Sequence, residues 1–330
     1  MYFSFVIPVY NRPEEVQELL QSLSLIEQKD DFEVIIIEDG SVEKCESVCS
    51  RFRESVNINY FFKENSGPGD SRNYGMKRAN GDYFIILDSD CIVPPEYLRV
   101  VKQYLKKEFV DCYGGPDAAM EGFSDVQKAI NYSMTSPFST GGIRGGGEKL
   151  GKFQPRSFNM GISKAAFEAS GGFGKIHPGE DPDLTIRLWN LGFKTKLFKE
   201  AYVYHKRRIS FDLFYKQVQK FGMVRVILNK WHPSTRKLTF WFPALFILGL
   251  SASIIAAIWM TQFFLMMYIC YFLIIFVDSS FKNSLKVGLY SVYAILVQFF
   301  GYGKGFLISF TTLRILNKNE RIAFPHLFFR

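Results

Sequence analysis

The apolar positions of the first ninety residues fall into short runs, each ended by a polar cluster. Residues 2–9 form one such run, closed by Asn11-Arg12-Pro13. Residues 33–37, 58–62 and 82–87 repeat the form, and each reads as a strand. Between them the period changes. Val16, Leu19, Leu20 and Leu23 mark one helical face, with Asn11 able to cap and Pro13 suited to a first turn. A polar helix is expected through Cys49 and Arg53, and a short one over 71–79 before the Asn80-Gly81 turn. Strand–helix alternation of this kind predicts a mostly parallel sheet covered by helices. Ligands of such sheets gather beyond the carboxyl ends of the strands, where Asn11, Asp39, Asp88 and Asp90 all fall. Further on, Val93-Pro94-Pro95-Glu96 opens another helix, 183–191 reads as a helix and 201–204 as a strand. The glycine-rich stretch 114–151 is either a loop that orders over a partner or a plain linker.

The pattern changes again after residue 235. Residues 240–277 hold no charged side chain over 38 positions. As one helix they would extend about 57 Å, against a hydrocarbon core of about 30 Å. Two spans fit better, near 240–260 and 263–277, broken at Met260-Thr261-Gln262. A third apolar segment, 287–310, contains Gln298, Lys304 and Gly301-Tyr302-Gly303-Lys304-Gly305. Basic residues flank both of its ends, so charge bias does not decide whether it crosses, breaks midway or lies along the interface. The expected division is a domain over 1–235 and a membrane region over 236–330.

Charge sharpens this picture. The chain carries a formal net charge of +8, and thirteen Lys/Arg against two acids lie between Arg187 and Lys237. A basic flank beside the first span puts the large domain on the cytoplasmic face and favours anionic lipid headgroups or a lipid-linked phosphate. It accounts for the charge without nucleic acid. No cleavable signal peptide is expected from the strand-like start. The five cysteines (Cys45, Cys49, Cys91, Cys112 and Cys270) make neither a disulfide framework nor a zinc pattern, and are expected as free thiols.

Several residues could carry chemistry. Alternation along an extended chain would point Asp88 and Asp90 the same way, where a hard cation such as Mg²⁺ or Mn²⁺ would relieve their repulsion. Capping or turn duty is the alternative. Asp39 is placed to hydrogen-bond a base or ribose, with Tyr10 against the base, or else to make a turn with Gly40-Ser41. Gly67-Pro68-Gly69 permits close backbone approach to a ligand, Arg72 could steady an anion, and Asn73 could serve only as a local cap. Glu180-Asp181 could complement a helix dipole or present a carboxylate to a hydroxyl. His205 could contact a metal or phosphate, with Arg207 or Arg208 neutralising a departing group, or lie on the surface beside a charge run.

These motifs together resemble the family 2 glycosyltransferases, which have the GT-A nucleotide-diphospho-sugar transferase fold. The matching pieces are Val6-Ile7-Pro8-Val9-Tyr10-Asn11-Arg12, Glu38-Asp39-Gly40-Ser41, 67–73 and 80–90. Asn159-Met160-Gly161, Gly171-Gly172-Phe173, Gly179-Glu180-Asp181 and Val203-Tyr204-His205 follow in the family's order, over about 200 residues. The resemblance implies that Pro8, Tyr10, Asn11 and Asp39 surround the nucleotide, with Arg72 and Asp88 near the donor. It makes Asp90 the principal ligand of Mn²⁺ or Mg²⁺, with His205 and Asp88 beside it, and Asp181 the catalytic base with Glu180 as neighbour.

The implied reaction is inverting, metal-dependent transfer from a nucleotide-diphosphate sugar, a UDP-sugar being favoured. The Gln-x-x-Arg-Trp signature of processive synthases is absent, so single-sugar addition is expected. The acceptor is expected to be a hydroxyl on a lipid-linked glycan at the inner (plasma) membrane, in polysaccharide or cell-envelope synthesis. Transfer to polyprenyl phosphate, and an inactive membrane-tethered nucleotide- or sugar-binding module, are the alternatives.

Overall fold

The computed structural model describes residues 1–118, 122–140, 153–205 and 210–329. In chain order the elements begin β1 (Phe3–Val9), α1 (Pro13–Ser24), β2 (Phe32–Asp39), α2 (Glu46–Phe52), β3 (Ile58–Lys63), α3 (Pro68–Met76) and β4 (Tyr83–Leu87). They continue with β5 (Cys91–Ile92), α4 (Tyr97–Lys107), β6 (Cys112–Gly114), β7 (Asp117–Ala118), α5 (Asp125–Thr135), α6 (Pro137–Thr140), β8 (Asn159–Ser163), α7 (Lys164–Ser170) and α8 (Glu180–Asn190). The last are β9 (Thr195–Leu197), β10 (Val203–His205), α9 (Phe211–Trp231), α10 (Phe242–Trp259), α11 (Phe263–Lys282), α12 (Leu285–Phe310) and α13 (Glu320–Ala323). The described residues form two compact units. One comprises 1–118, 153–205 and 328–329; the other comprises 122–140 and 210–327.

The first unit is an α/β domain on a seven-stranded sheet of order β3-β2-β1-β4-β8-β6-β9. β3, β2, β1 and β4 are parallel, β8 runs antiparallel to both of its neighbours, and β6 and β9 pair parallel. Helices cover both faces, so the central strands are mostly apolar on both faces rather than alternating. β2 is buried at every position. Alternate residues of β1 feed different cores: Phe5 and Ile7 join Leu20, Tyr97 and Phe198, while Val6 joins Ile35, Met76 and Leu184. The one acid inside β2's apolar run, Glu33, accepts hydrogen bonds from Ser4 Oγ, Asn59 Nδ2 and both nitrogens of Asn80, which fastens the 80–81 turn to the sheet. A second, three-stranded sheet of order β5-β10-β7 sets His205 opposite Cys91.

The second unit is helical. The break between α10 and α11 falls at 260–262, and α11 continues past residue 277 to Lys282, which makes it a full 20 residues. Among the described residues, three segments are long and apolar enough to cross a membrane: Leu238–Trp259, Phe263–Lys282 and Leu285–Ile315. The glycine run of α12 is a packing surface. A side chain on Gly301 would press on Tyr215 and Val218 of α9, one on Gly305 would strike the Gln219 carbonyl, and one on Gly303 would meet Pro243 and Ala244 of α10. The cysteines are all free, and only Cys270 is exposed.

Candidate active site

β2, β1 and β4 are neighbours in the sheet, so their carboxyl ends carry Asp39, Tyr10-Asn11 and Asp88 to one edge. Asp88-Ser89-Asp90 is not extended chain. It turns from β4 into β5, with the Cys91 amide donating to the Asp88 carbonyl at 3.2 Å. The alternation expected of these acids therefore does not operate; the turn and the pairing of β10 on β5 bring the groups together instead. Asp90 Oδ1 lies 3.1 Å from His205 Nε2, and Asp88 Oδ2 lies 3.9 Å from the same nitrogen. Asp90 Oδ2 accepts from Arg12 Nη1 at 3.0 Å, and the His205 ring stacks on Phe158 with centroids 4.9 Å apart. Burial alone would raise the Asp90 carboxyl, but the hydrogen bond and charge of His205 and the Arg12 guanidinium outweigh it and hold it at about 2.

A metal fits this corner. Asp90, Cys91 and His205 each offer a donor atom within 4.8 Å of the others. Burial pushes the Cys91 thiol well up, and it donates to the Phe158 carbonyl at 3.4 Å, so it is a neutral partner. The remaining donors, two carboxylates and an imidazole, suit Mn²⁺ or Mg²⁺ better than a thiophilic ion.

Arg72 joins this corner to the second acidic motif. α3 can approach the 173–174 loop closely because residue 69 is glycine, where an added Cβ would lie 2.9 Å from the Gly174 carbonyl. Asn73 secures that approach from both sides, donating to the Phe173 carbonyl at 2.9 Å and accepting from the Phe173 amide at 2.8 Å. It is a clamp between segments, not the local cap expected. The Arg72 side chain, 4% exposed, then gives Nη2 to Asp88 Oδ1 at 2.9 Å and Nη1 to Glu180 Oε1 at 3.0 Å. Burial works against its charge, yet the two carboxylates keep it firmly protonated.

Glu180 and Asp181 lie within the first turn of α8 rather than before it, because Gly179 takes φ 117° and lets the helix begin there. Glu180 is committed. Burial alone would raise it, but His177, 3.1 Å away, and Arg72 hold it at about 2. Asp181 differs. Burial raises its carboxyl, Arg156 at 3.4 Å partly offsets this, and the Glu180 charge adds to the rise. Two adjacent acids thus have opposite tendencies, one fixed as an anion and one a stronger base.

The remaining residues form the wall of the edge. Asp39 accepts from Lys63 Nζ at 2.5 Å and from the Ser66 and Gly67 amides at 2.9 Å, so it shapes the 63–67 loop. Asn11, at φ 53°, accepts from the Val42 and Glu43 amides through Oδ1, while its own amide donates to Ser41 Oγ. It ties two loops together and caps no helix; Arg12 stands at the cap of α1 without a side-chain bond. Tyr10 is 53% exposed, and Pro8 sits in β1 opposite Ile37. Arg207 and Arg208 lie outside the described residues. Four partners had no separate signal in the sequence: Arg12, Arg156, Phe158 and His177. Arg12 follows Asn11 beyond the end of β1, where nothing local marks it as the counter-charge of Asp90.

This edge, with acids at the strand ends of a largely parallel sheet flanked by a small second sheet, defines a GT-A-like nucleotide-sugar fold. The glycosyl transferase family 2 sequence model matches residues 4–169, and the chain belongs to that family. An uncharacterised glycosyltransferase of Rickettsia felis is 36% identical over 104 residues, 32% of this chain and 17% of the relative. The poly(ribitol-phosphate) β-N-acetylglucosaminyltransferase TarS of Staphylococcus aureus is 30% identical over 114 residues, 34% of this chain and 20% of TarS. An uncharacterised glycosyltransferase of Haemophilus influenzae is 33% identical over 138 residues, 38% and 44% of the two chains. The matches thus span less than half of each of these relatives. Among solved structures, the mannosyltransferase PcManGT of Pyrobaculum calidifontis, in complex with GDP-Man and Mn²⁺, superposes with a TM-score of 0.57 at 14% identity, covering 96% of this chain and 88% of that one. TarS 1–349 in complex with UDP gives 0.51 at 20% identity, covering 96% and 92%. Both likenesses are of fold.

Proposed function

We propose that this protein is a membrane-anchored, nonprocessive glycosyltransferase that moves one sugar, with inversion, from a nucleotide diphosphate to a hydroxyl of a lipid-linked glycan. The α/β unit works on the cytoplasmic face of the inner membrane. The observation that carries the reading is Arg72, a buried cation shared between Asp88 on the donor side and Glu180 on the acceptor side. It ties the two acidic motifs into one site.

In this reading Pro8, Tyr10, Asn11 and Asp39 border the nucleotide, Tyr10 offering an exposed ring to the base. Asp181 takes the hydroxyl proton as that oxygen bonds to the anomeric carbon and the bond to the diphosphate oxygen breaks. A carboxyl raised by burial is a better match to that proton than an ordinary one. Glu180, already bonded to Arg72 and His177, keeps Arg72 in place and leaves proton transfer to its neighbour. Asp90, Asp88 and His205 would hold the divalent ion, which supplies charge stabilisation at the leaving diphosphate. Arg207 and Arg208 are candidates for the same charge. A uridine donor is favoured by the UDP bound to TarS, and the GDP-Man and Mn²⁺ of PcManGT support a metal-assisted nucleotide sugar in general.

The test is a panel of UDP- and GDP-sugars assayed for released nucleoside diphosphate, with membrane lipid extract and Mn²⁺ or Mg²⁺. Turnover that needs the extract, and that Asp181→Asn abolishes without loss of donor affinity, supports the reading. Equal turnover with purified polyprenyl phosphate would replace the acceptor. Tight nucleotide binding with no turnover on any acceptor would replace the enzyme by a binding module.

A further inference from the structure

We infer that α12, although long and apolar enough to cross a bilayer, lies along the membrane surface, and that the membrane is crossed only by the α10–α11 hairpin. This rests on the membrane reading above and adds the topology to it.

Parity limits the number of crossings. Residues 328–329 belong to the α/β unit: the Phe329 amide donates to the Lys175 carbonyl at 3.0 Å, Phe328 bridges antiparallel to Ile176, and the Phe329 ring stands against Gly67. The chain thus leaves this unit before α9 and rejoins it after α13. A water-soluble unit occupies one side of a bilayer, so the crossings between exit and return must be even in number. Three apolar helices would give three.

The packing of α9 selects the helix that does not cross. α9 lies along α12 for its whole length. Phe211 packs on Tyr293 with centroids 4.8 Å apart, Gly222 abuts the Tyr302 carbonyl, Ser309 Oγ donates to the Met223 carbonyl at 3.0 Å, and Arg314 Nη2 donates to the Asn229 carbonyl at 3.2 Å. α9 carries Asp212, Lys216, Lys220, Arg225 and Lys230. If α12 crossed, these charges would be drawn through the hydrocarbon with it, which membrane helices avoid.

The exposed face of α12 agrees. In α12, 44% of the apolar window is buried within the protein, against 17% for α10 and 11% for α11. Its exposed stripe is Leu285, Leu289, Tyr293, Phe300 and Ile308, interrupted by the exposed Lys304. Apolar anchors with a tyrosine and a lysine able to reach the headgroups are the surface of an interfacial helix. Both basic flanks of α12 then lie on one side, and the positive-inside rule is obeyed at each.

The test uses the full chain with Cys270→Ser in sealed vesicles, carrying one added cysteine at a time, and an impermeant maleimide. Glu54→Cys reports the face of the α/β unit. Asn283→Cys and Lys318→Cys are expected to label with it, and Thr261→Cys only after the vesicles are opened. Labelling of Asn283→Cys and Lys318→Cys from opposite faces would overturn the inference. Release of the protein by alkaline carbonate, with Thr261→Cys labelling alongside Glu54→Cys, would instead sink the membrane reading beneath it. Nitroxides at Leu289, Phe300 and Ile308 decide independently of labelling yield. Similar shallow depths at all three support an in-plane helix, and a depth maximum at Phe300 refutes it.

Discussion

Asp90 and His205 face each other across 3.1 Å, although β4's turn carries one and the small second sheet carries the other. Arg12 closes the opposite oxygen of the same carboxylate at 3.0 Å. Asp90 is thereby kept ionised and oriented, which in the proposed reading preorganises the corner for a cation.

Replacing Asp90 should therefore be costly for turnover. Asp90→Asn is expected to lower kcat by about 10²–10³, the usual scale for losing one preorganised electrostatic contact. Chelation of wild-type protein should lower it comparably, and Mn²⁺ or Mg²⁺ should restore wild type but not the variant. Released nucleoside diphosphate, measured across a metal titration, checks both. Unchanged turnover in excess chelator would remove the metal from the mechanism.

The acid pair should separate by phenotype. Asp181→Asn is expected to abolish transfer while leaving donor affinity and Tm near wild type. Glu180→Gln should instead lower Tm, because Arg72 would lose one of the two carboxylates it pairs with in a site where its side chain is 4% exposed. Breaking a buried pair on one side costs about 3–5 kcal/mol. Thermal melts and nucleotide titrations on the same two variants check the division.

The pH dependence follows from opposite shifts. Asp181 is raised above 3.8, so transfer should fall on acidification at a higher pH than an ordinary aspartate would give. Arg156 lowers that carboxyl, and Arg156→Ala should move the acid limb of the rate profile further up. Glu180 is lowered from 4.5 to about 2, so the stability it contributes is complete above 4.5 and is lost as pH falls toward 2. Glu180→Gln should flatten the stability profile in that window. Asp181 works in the other sense, its raised carboxyl favouring the folded state more as pH falls.

Much of this was readable from the chain. The isoleucine run of β2 announces a strand buried on both faces, and 260–262 breaks the apolar stretch where α10 ends and α11 begins. The grouping of Asp39 and Asp88 followed from their places at strand ends. What local pattern could not supply was tertiary pairing. The Asp88–Asp90 turn replaces the expected extended chain because β5 is only two residues long and pairs with β10. β8, which reverses the sheet, is five residues including a glycine and has little β signature of its own. Arg12 and Arg156 acquire their roles from partners 78 and 25 residues along the chain, where no spacing rule reaches, while His177 meets Glu180 only three residues on, across the turn that starts α8.

The helical unit offers a prediction that is independent of chemistry. Glycine at 222 lets α9 and α12 touch backbone to backbone, since an added Cβ would meet the Tyr302 carbonyl and lie 2.8 Å from the Phe306 amide nitrogen. Backbone cannot yield as a side-chain tip can, so Gly222→Leu should push the two helices apart. Overpacking of this kind costs about 1–3 kcal/mol or more. Gly249 on α10 is the control. There the obstacle is the hydroxyl of Tyr268, at the end of a side chain that can rotate away, losing its 3.1 Å bond to the Phe246 carbonyl. Gly249→Ala should therefore lower Tm in detergent by much less than Gly222→Leu. Equal shifts would mean that α9 and α12 are held by their aromatic contacts and not by the glycine-lined approach.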